Sequence, residues 1–516
     1  MRVIISIAAF ALLGQGFGLA QQVSERAAAR FLDQAAWGPT PASIAQVESM
    51  GFSNWLAAQF ALNTSDLPDQ PILNAAGKSN NNLAPVQAAF YVNAVSGPDQ
   101  LRQRVAFALS QIWVVSQEGV PQAYAYPPYW RIFRDNAFGN YRDVIKAVTL
   151  GPAMGRYLNM ANNNKANAAK GTVPNENYAR ELMQLFTLGL QQLNPDGSSV
   201  MQNNAPVPTY NPAVVTGMSK VLTGWTYPTA PGVTPKRNNP PYFIGQMLAV
   251  DAEHDKTAKT LFGNTTLPAG QTAGQDLESL LDALMTQPTM APFVSRQLIE
   301  HLVTGNPSPA YIQRVSTVFE NDGTRVAGNL KAVITAILID PEARAGDDPS
   351  ATAAPSFGHL REPVLFMASV LRGLNATVST PNKISADAAE LGENLFNAPS
   401  VFSYFSPQSR TEFGLTGPEF QIYSTQTAAD RINLVNSILY GSGATGFQIH
   451  LGPFVSQAGD TDGLLSYIGS IFPRGAMPEA LEQAAATAVN STSTPDARAR
   501  MALYVVLTSS AYQIIQ

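Results

Sequence analysis

The residues best suited to do chemistry lie in two short runs. One is Pro174-Asn175-Glu176-Asn177-Tyr178-Ala179-Arg180-Glu181, which continues through Leu182-Met183-Gln184-Leu185-Phe186-Thr187-Leu188-Gly189; the other is His254-Asp255-Lys256. Glu and His transfer protons, and Arg and Lys hold an anion or a developing negative charge. Glu176, Arg180 and Glu181 joined to His254, Asp255 and Lys256 would therefore suit a hydrolase or lyase. Spacing limits what the acids can do alone: five residues apart on a helix, Glu176 and Glu181 diverge by about 140°. Each needs a partner from elsewhere in the chain. The competing reading is structural. Asn175 suits an N-cap and Gly189 a stop. Tyr178, Leu182, Leu185 and Phe186 make an apolar stripe. Glu176 and Arg180 form an i,i+4 pair worth only about 0.2–0.5 kcal/mol, and His254-Asp255-Lys256 also reads as a polar turn.

Other catalytic patterns fail on context. Gly441 to Gly446 spells GxGxxG, but a helix is expected before it and extended chain after it, the reverse of a dinucleotide fold. Gly77-Lys78-Ser79 lacks the first glycine of a phosphate loop, because position 72 is Ile72. There is no GxSxG, and no Ser lies three residues before a Lys. The four histidines, His254, His301, His359 and His450, form no HExxH, so no metal site is expected. Asp460-Thr461-Asp462-Gly463 and Asn194-Pro195-Asp196-Gly197 are fragments of a calcium loop and read better as turns.

The elements that must position these residues are mostly helical. Ser24 can cap a helix carrying Ala28, Phe31, Leu32 and Ala35, and Thr40-Pro41 opens another that Gly51 should stop. A short helix then holds Trp55, Leu56 and Phe60. Asn140 with Asp143 opens a helix with Val144, Ile145 and Val148. Leu277, Leu280, Leu281 and Leu284 form one stripe, as do Leu330, Val333, Ile334, Ile337 and Leu338 behind Asn329. Strand-like alternation is confined to residues 242–250 and 447–454, expected as small hairpins. Residues 159–173, 226–241 and 345–356 have loop composition, and no fixed-period repeat is present. The expected fold is mainly α, a large multi-helix globular array with minor β hairpins.

Composition sets further bounds. Of 516 residues 45% are hydrophobic and 13% charged, the net charge is −5 and there is no cysteine. The absence of a basic cluster argues against nucleic acid, and any fold must hold without disulfides. Met1-Arg2, the apolar run from Val3 to Leu13 and the small residues Gly18 and Ala20 have the form of a secretory leader. Cleavage is expected after Ala20. No later stretch is apolar for long enough to span a bilayer, so the mature chain is expected to be secreted or periplasmic without a transmembrane span.

PNENYARELMQLFTLG resembles the signature of the bacterial DUF1800 proteins, an exported family of unknown function. The likeness extends in order through ARFLDQAAWGPTPASIAQV, FGNYRDVIKAVTLGPAMGRYLNMANN, LTGW (Leu222 to Trp225), HDKTAKTLFG, REPVLFMASVLRGL and MALYVVLTSSAYQIIQ. It implies a signal peptide at 1–20 and a single helical family domain over 21–516. It also implies a co-exported protein encoded nearby as a conceivable partner, and no accepted mechanism or cofactor. The chain departs from many members in LRQRVAFALSQIWVVS, which has Ala108, Ser110 and Gln111 where His and Trp are expected, and LFNAPSVFSYFSPQ resembles a branch of the family. Three functions are compatible with these residues. The first is an extracytoplasmic binding or assembly protein for a glycan or peptide, with Asn175, Asn177, Trp225 and Arg361 as ligand contacts. The second is the hydrolase or lyase acting on an extracytoplasmic polymer. The third is a structural partner of a co-exported protein.

Overall fold

The computed structural model describes residues 23–350, 354–378, 382–441, 446–475 and 477–516; the expected leader at 1–20 lies outside them, as does most of the glycine run at 441–446. The chain is 52% helical, and among the described residues its strands occur only as two-residue antiparallel pairs. Helices therefore carry the architecture, with one continuous apolar core reaching from Ala28 to Ile515.

Capping chemistry sets most helix starts. Ser24 accepts from the N–H of Ala27 at 3.2 Å and opens Glu25–Ala35, which buries Ala28, Phe31, Leu32 and Ala35. Thr40 and Ser43 form a reciprocal box at the head of Pro41–Ala61. Gly51 breaks this run with non-helical backbone (φ +74°, ψ 163°), so one helical segment ends there and another, which carries Trp55 and Leu56 into the core, follows it as expected. Asn140 caps Tyr141–Thr149 through the N–H of Arg142 at 2.9 Å. Asn329 and the Leu277 stripe head and line Leu330–Ile339 and Ala273–Met285 as expected. Asp460 caps Thr461–Ile471, and Asn194 to Gly197 is a turn closed at 2.9 Å.

The β elements differ from expectation. Residues 242–250 supply only Leu248–Ala249, paired with the distant Trp225–Thr226. Residues 447–454 supply only Phe447–Gln448, paired with Thr377–Val378. Pro453 then sits in the first turn of the helix Gly452–Gln457, where proline is preorganised for helix. The local hairpin lies elsewhere: Met201–Gln202 pairs with Ala205–Pro206 through Asn203 and Asn204, at φ +50° and +61°, the left-handed pair that a two-residue turn requires.

The two ends of the chain meet around one buried acid. Asp33 is gripped by Arg361 (Nη1–Oδ1 2.8 Å, Nη2–Oδ2 2.5 Å) and by Arg474 (2.6 Å). Arg361 also donates through Nε to the carbonyl of Tyr512 at 2.9 Å, and Ile514–Ile515 pairs with His359–Leu360. Burial pushes the Asp33 carboxyl up, but the two guanidinium groups prevail and hold it below the usual carboxylate range. A folded value below the unfolded one means that this contribution is complete at neutral pH and is lost as pH falls through the carboxylate range. Asp33→Ala leaves two buried cations without their acid, with an expected loss of about 3–5 kcal/mol, measurable as a lower urea midpoint at unchanged slope.

Candidate functional site

The segments holding both chemical runs are gathered by one residue of the asparagine-rich loop. Asn163 is buried. Its side chain accepts from the N–H of Asn175 at 2.8 Å and donates to the carbonyl of Asn175 at 3.2 Å. Its own carbonyl takes the N–H of Gly224 at 2.8 Å. Next to it, the N–H of Asn162 reaches the carbonyl of Trp225 at 2.7 Å, and that of Lys165 reaches Glu253 at 2.8 Å. A buried amide with both ends occupied is a strong positional constraint. The head of the 174–189 run, the LTGW segment and the histidine turn are thereby held together.

Gly224 is required by this closeness. It stands at φ +82°, and a Cβ there would lie 2.9 Å from the backbone nitrogen and the Cβ of His254. His254 is fully buried. Its Nδ1 lies 2.9 Å from the carbonyl of Thr223, and its Nε2 lies 2.9 Å from Oδ2 of Asp276. The same Oδ2 pairs with Lys259 Nζ at 2.6 Å, and that ammonium also donates to the carbonyl of Thr257 at 3.0 Å. Asp276 and Lys259 have no exposed side-chain surface. Both ring nitrogens of His254 are thus committed inside the protein, so it braces the turn and has no nitrogen left for a substrate. The run expected to serve acid–base chemistry divides here. His254 points inward, while Asp255 accepts from the N–H and hydroxyl of Thr257 (2.8 and 2.6 Å) and Lys256 is exposed. Above this floor lies an open depression edged by Lys165, Asp251, Asp255, Lys256 and Thr257.

The 174–189 run is not a single α-helix. Asn177–Glu181 is α-helical, and Leu182–Thr187 is a π-turn. The N–H groups of both Leu188 and Gly189 converge on the carbonyl of Met183 at 2.9 Å, and the Thr187 hydroxyl returns to Leu182 at 2.6 Å. The wider turn shifts the register, which buries Phe186 and leaves Leu185 only half-buried. Asn175 acts one step ahead of the helix, its Oδ1 accepting from the N–H of Asn177 at 2.8 Å. Glu176 and Arg180 make the expected i,i+4 pair at 2.6 Å. Glu181 differs from both: it is half-buried, its Oε2 has no partner, and burial raises its carboxyl above the usual range against the pull of Arg180. Interrupted helices of this kind concentrate at functional positions.

The two runs therefore share a scaffold without sharing contacts. No hydrogen bond or ion pair among the described residues links Glu176, Arg180 or Glu181 to His254, Asp255 or Lys256. Of the expected ligand contacts, Asn175 is exposed and Asn177 half-buried on the helix face. Trp225 is buried, its indole N–H unpartnered. Arg361 is the exception: it is 2% exposed and wholly engaged with Asp33 and Tyr512, so it belongs to the framework and presents no surface to a ligand. Asn163, Thr223, Lys259 and Asp276 escape sequence reading. Asp276 stands in the first turn of its helix, where an acid is favoured by the dipole alone, so nothing in its spacing marks a buried partner. Among the described residues no group of three or more His, Asp or Glu is placed to hold a metal ion.

Two substitutions test the scaffold. Asp276→Asn leaves Lys259 buried beside a neutral amide and should cost about 3–5 kcal/mol. Gly224→Ala should destabilise by more than the roughly 0.4–1 kcal/mol scale of ordinary glycine effects, because its φ is incompatible with a side chain. Denaturant unfolding of each purified variant reads both.

Residues 30–514 match the family model described as protein of unknown function (DUF1800). No curated protein and no solved structure matches the chain.

Proposed function

The chain belongs to the DUF1800 family, and from that premise we propose that it is an extracytoplasmic binding or assembly protein that recognises a polar chain, a glycan or a peptide, at the depression over His254. The observation that carries this reading is the division between floor and rim. The floor groups Asn163, His254 and Lys259 are engaged with backbone and with Oδ2 of Asp276, whose Oδ1 has no partner. The rim groups Lys165 and Lys256 are exposed and stand with Asp251, Asp255 and Thr257 around the opening. Fixed supports beneath adaptable polar side chains favour recognition. Mixed charge at the rim suits hydroxyl and amide groups better than a strongly charged polymer. Asn175, Asn177, Glu176 and Arg180 on the neighbouring helix face extend the polar surface. Among the described residues no helix is long and apolar enough to cross a membrane, and export rests on the leader-like sequence at 1–20.

A second reading, hydrolysis or elimination on the same polymer, is favoured by one group. Glu181 combines an unpartnered oxygen with a raised carboxyl beside Tyr210, whose hydroxyl its charge also affects. Those are properties of a general acid. Glu176 is instead paired with Arg180 at 2.6 Å.

The binding reading is tested by thermal shift of the mature protein against glycan and peptide panels. A bound ligand raises the melting point. Lys165→Ala and Lys256→Ala, alone and combined, should remove the shift while leaving the unliganded melting point within a few degrees, because exposed substitutions cost about 0.5 kcal/mol or less. A shift that survives the double variant rejects this surface. The enzymatic reading is tested on the same panels: Glu181→Gln should abolish any turnover and Glu176→Gln should leave it nearly intact, and the opposite pattern rejects it. Sequencing of protein recovered from outside the inner membrane should begin at Gln21.

A further inference from the structure

A second group of ionisable side chains, none of them lining the depression, lies beneath a long irregular stretch of the chain. Residues 391–424 join the helices Asn382–Glu390 and Thr425–Tyr440 and contain only one short 3-10 turn, Pro418–Ile422. Stretches of this length without helix or strand are uncommon and tend to serve as lids or binding loops. This one contributes a buried member to each of three polar pairings. Glu393 meets Glu362, Ser403 meets Gln111, and Glu419 meets His359.

The first pairing is unusual in its charge. Glu393 is fully buried and Glu362 is 4% exposed. Both take the same amide donor, Gln111 Nε2, at 2.6 Å for Glu362 and 3.5 Å for Glu393. Glu393 takes one further bond, from the N–H of Val364 at 2.8 Å, and no salt bridge reaches either carboxyl among the described residues. Two buried carboxyls that share one amide donor and have no salt bridge repel each other when both are ionised, which favours a proton on the pair. The charged and titratable groups facing it are Arg104 from Gln100–Ile112, Arg431 from Thr425–Tyr440, Glu419 from the 3-10 turn, Tyr91 from Ala84–Ser96 and Tyr404 from residues 391–424, the strap. The two arginines bond elsewhere, Arg104 to the carbonyl of His301 and Arg431 to Gln513 and the carbonyl of Arg361, and with Nε and Nη1 of Arg104 and Nε of Arg431 unpartnered they act on the pair through their charge, which opposes the rise. Burial, the larger cause, with mutual repulsion pushes Glu393 well above the carboxylate range; burial raises Glu362 to about 7, opposed by Arg104.

Next to the pair is an enclosed cavity of about 30 Å³, room for roughly one water. Its walls are Phe107, Tyr129, Trp130 and Phe133 from the helices, and Phe396 and Tyr404 from the strap. Phe396 and Ser403 hold left-handed backbone, φ +64° and +66°, a strain that persists only where surrounding contacts over-determine it.

We propose that residues 391–424 are a proton-latched lid, held shut over this aromatic cavity by the Glu362–Glu393 pair and released when the pair loses its proton, so that an apolar group, an aromatic ring or short aliphatic chain, can enter against Phe107, Trp130 and Phe133. Neutral bonds also fasten the strap, among them Ser116 Oγ to the carbonyl of Ala398 at 2.6 Å and Gln87 Nε2 to that of Leu395 at 2.7 Å. Those do not change with pH, so the carboxyl pair supplies the pH-dependent part of closure. The sign follows from a closed-state affinity for protons that exceeds the open-state one: closure is complete in mild acid and weakens as pH rises through the pair's titration.

Hydrogen–deuterium exchange of the full mature chain, corrected for the intrinsic pH dependence of exchange, tests this. Protection of amides in 391–424 should be highest at the acid end of the range, fall by up to about tenfold per pH unit between the open-state carboxylate titration and the pair's raised closed-state titration, and level off above it, while Gln100–Ile112 and Pro363–Gly373 stay protected. Glu393→Gln, which keeps the shape without the charge, should keep the strap protected at both ends of the range. Glu362→Gln should do the same and substitutes for it if the first variant does not fold. The proposal is overturned by wild-type protection that does not change with pH, by loss of protection in all elements together, or by a Gln variant that loses protection as the wild type does.

Discussion

Few charges and no disulfides leave this chain with one governing constraint: every ionisable group taken into the interior must be held there by a counter-charge or by other polar partners such as backbone carbonyls. Only 13% of residues are charged, yet Arg30, Asp33, Arg104, Asp276, Arg361, Glu362, Arg372, Glu393, Arg431 and Arg474 are all buried. A buried charge without a partner costs several kcal/mol, so the helices can pack only where the pairs close. Asp33 between Arg361 and Arg474 joins the first helix to the last turns of the chain, and Asp276 between His254 and Lys259 fixes the turn on which the candidate surface stands. In both cases the acid comes from one part of the sequence and its partners from others. The pairing therefore fixes tertiary arrangement rather than local structure.

The same constraint separates what was legible in the sequence from what was not. Local rules place the helices: Ser24, Thr40, Asn140 and Asn329 announce their starts, and the leucine stripes announce the buried faces. The strands were misplaced because two-residue pairs such as Trp225–Thr226 with Leu248–Ala249 leave no alternation to read. The π-turn at Leu182–Thr187 was invisible because apolar spacing cannot tell it from one more α-turn. Arg361 and His254 drew attention as polar residues in quoted motifs, but partners far away in sequence, Asp33 and Asp276, make them supports. A single sequence shows the residue types and hides the pairs.

Two buried acids meet at the contact of Glu362 with Glu393, where neither carboxyl has a salt bridge among the described residues and the proposed proton offsets their repulsion. Gln111 is the neutral mediator. It lies in the helix where resemblance to the family leads one to expect a His, and it donates to both acids and accepts from Ser403 at 2.5 Å. The proposed recognition surface over His254 and the proposed lid over the aromatic cavity thus rest on different solutions, fixed polar pairs in one and a removable proton in the other.

The proposal that the Glu362–Glu393 pair holds a proton in the interior is tested most directly by infrared spectroscopy of the purified protein near neutral pH. The account predicts a carboxylic-acid carbonyl band in the wild type that is lost or reduced in Glu393→Gln. A wild-type spectrum with no protonated carboxyl, or one that Glu393→Gln leaves unchanged, would contradict it.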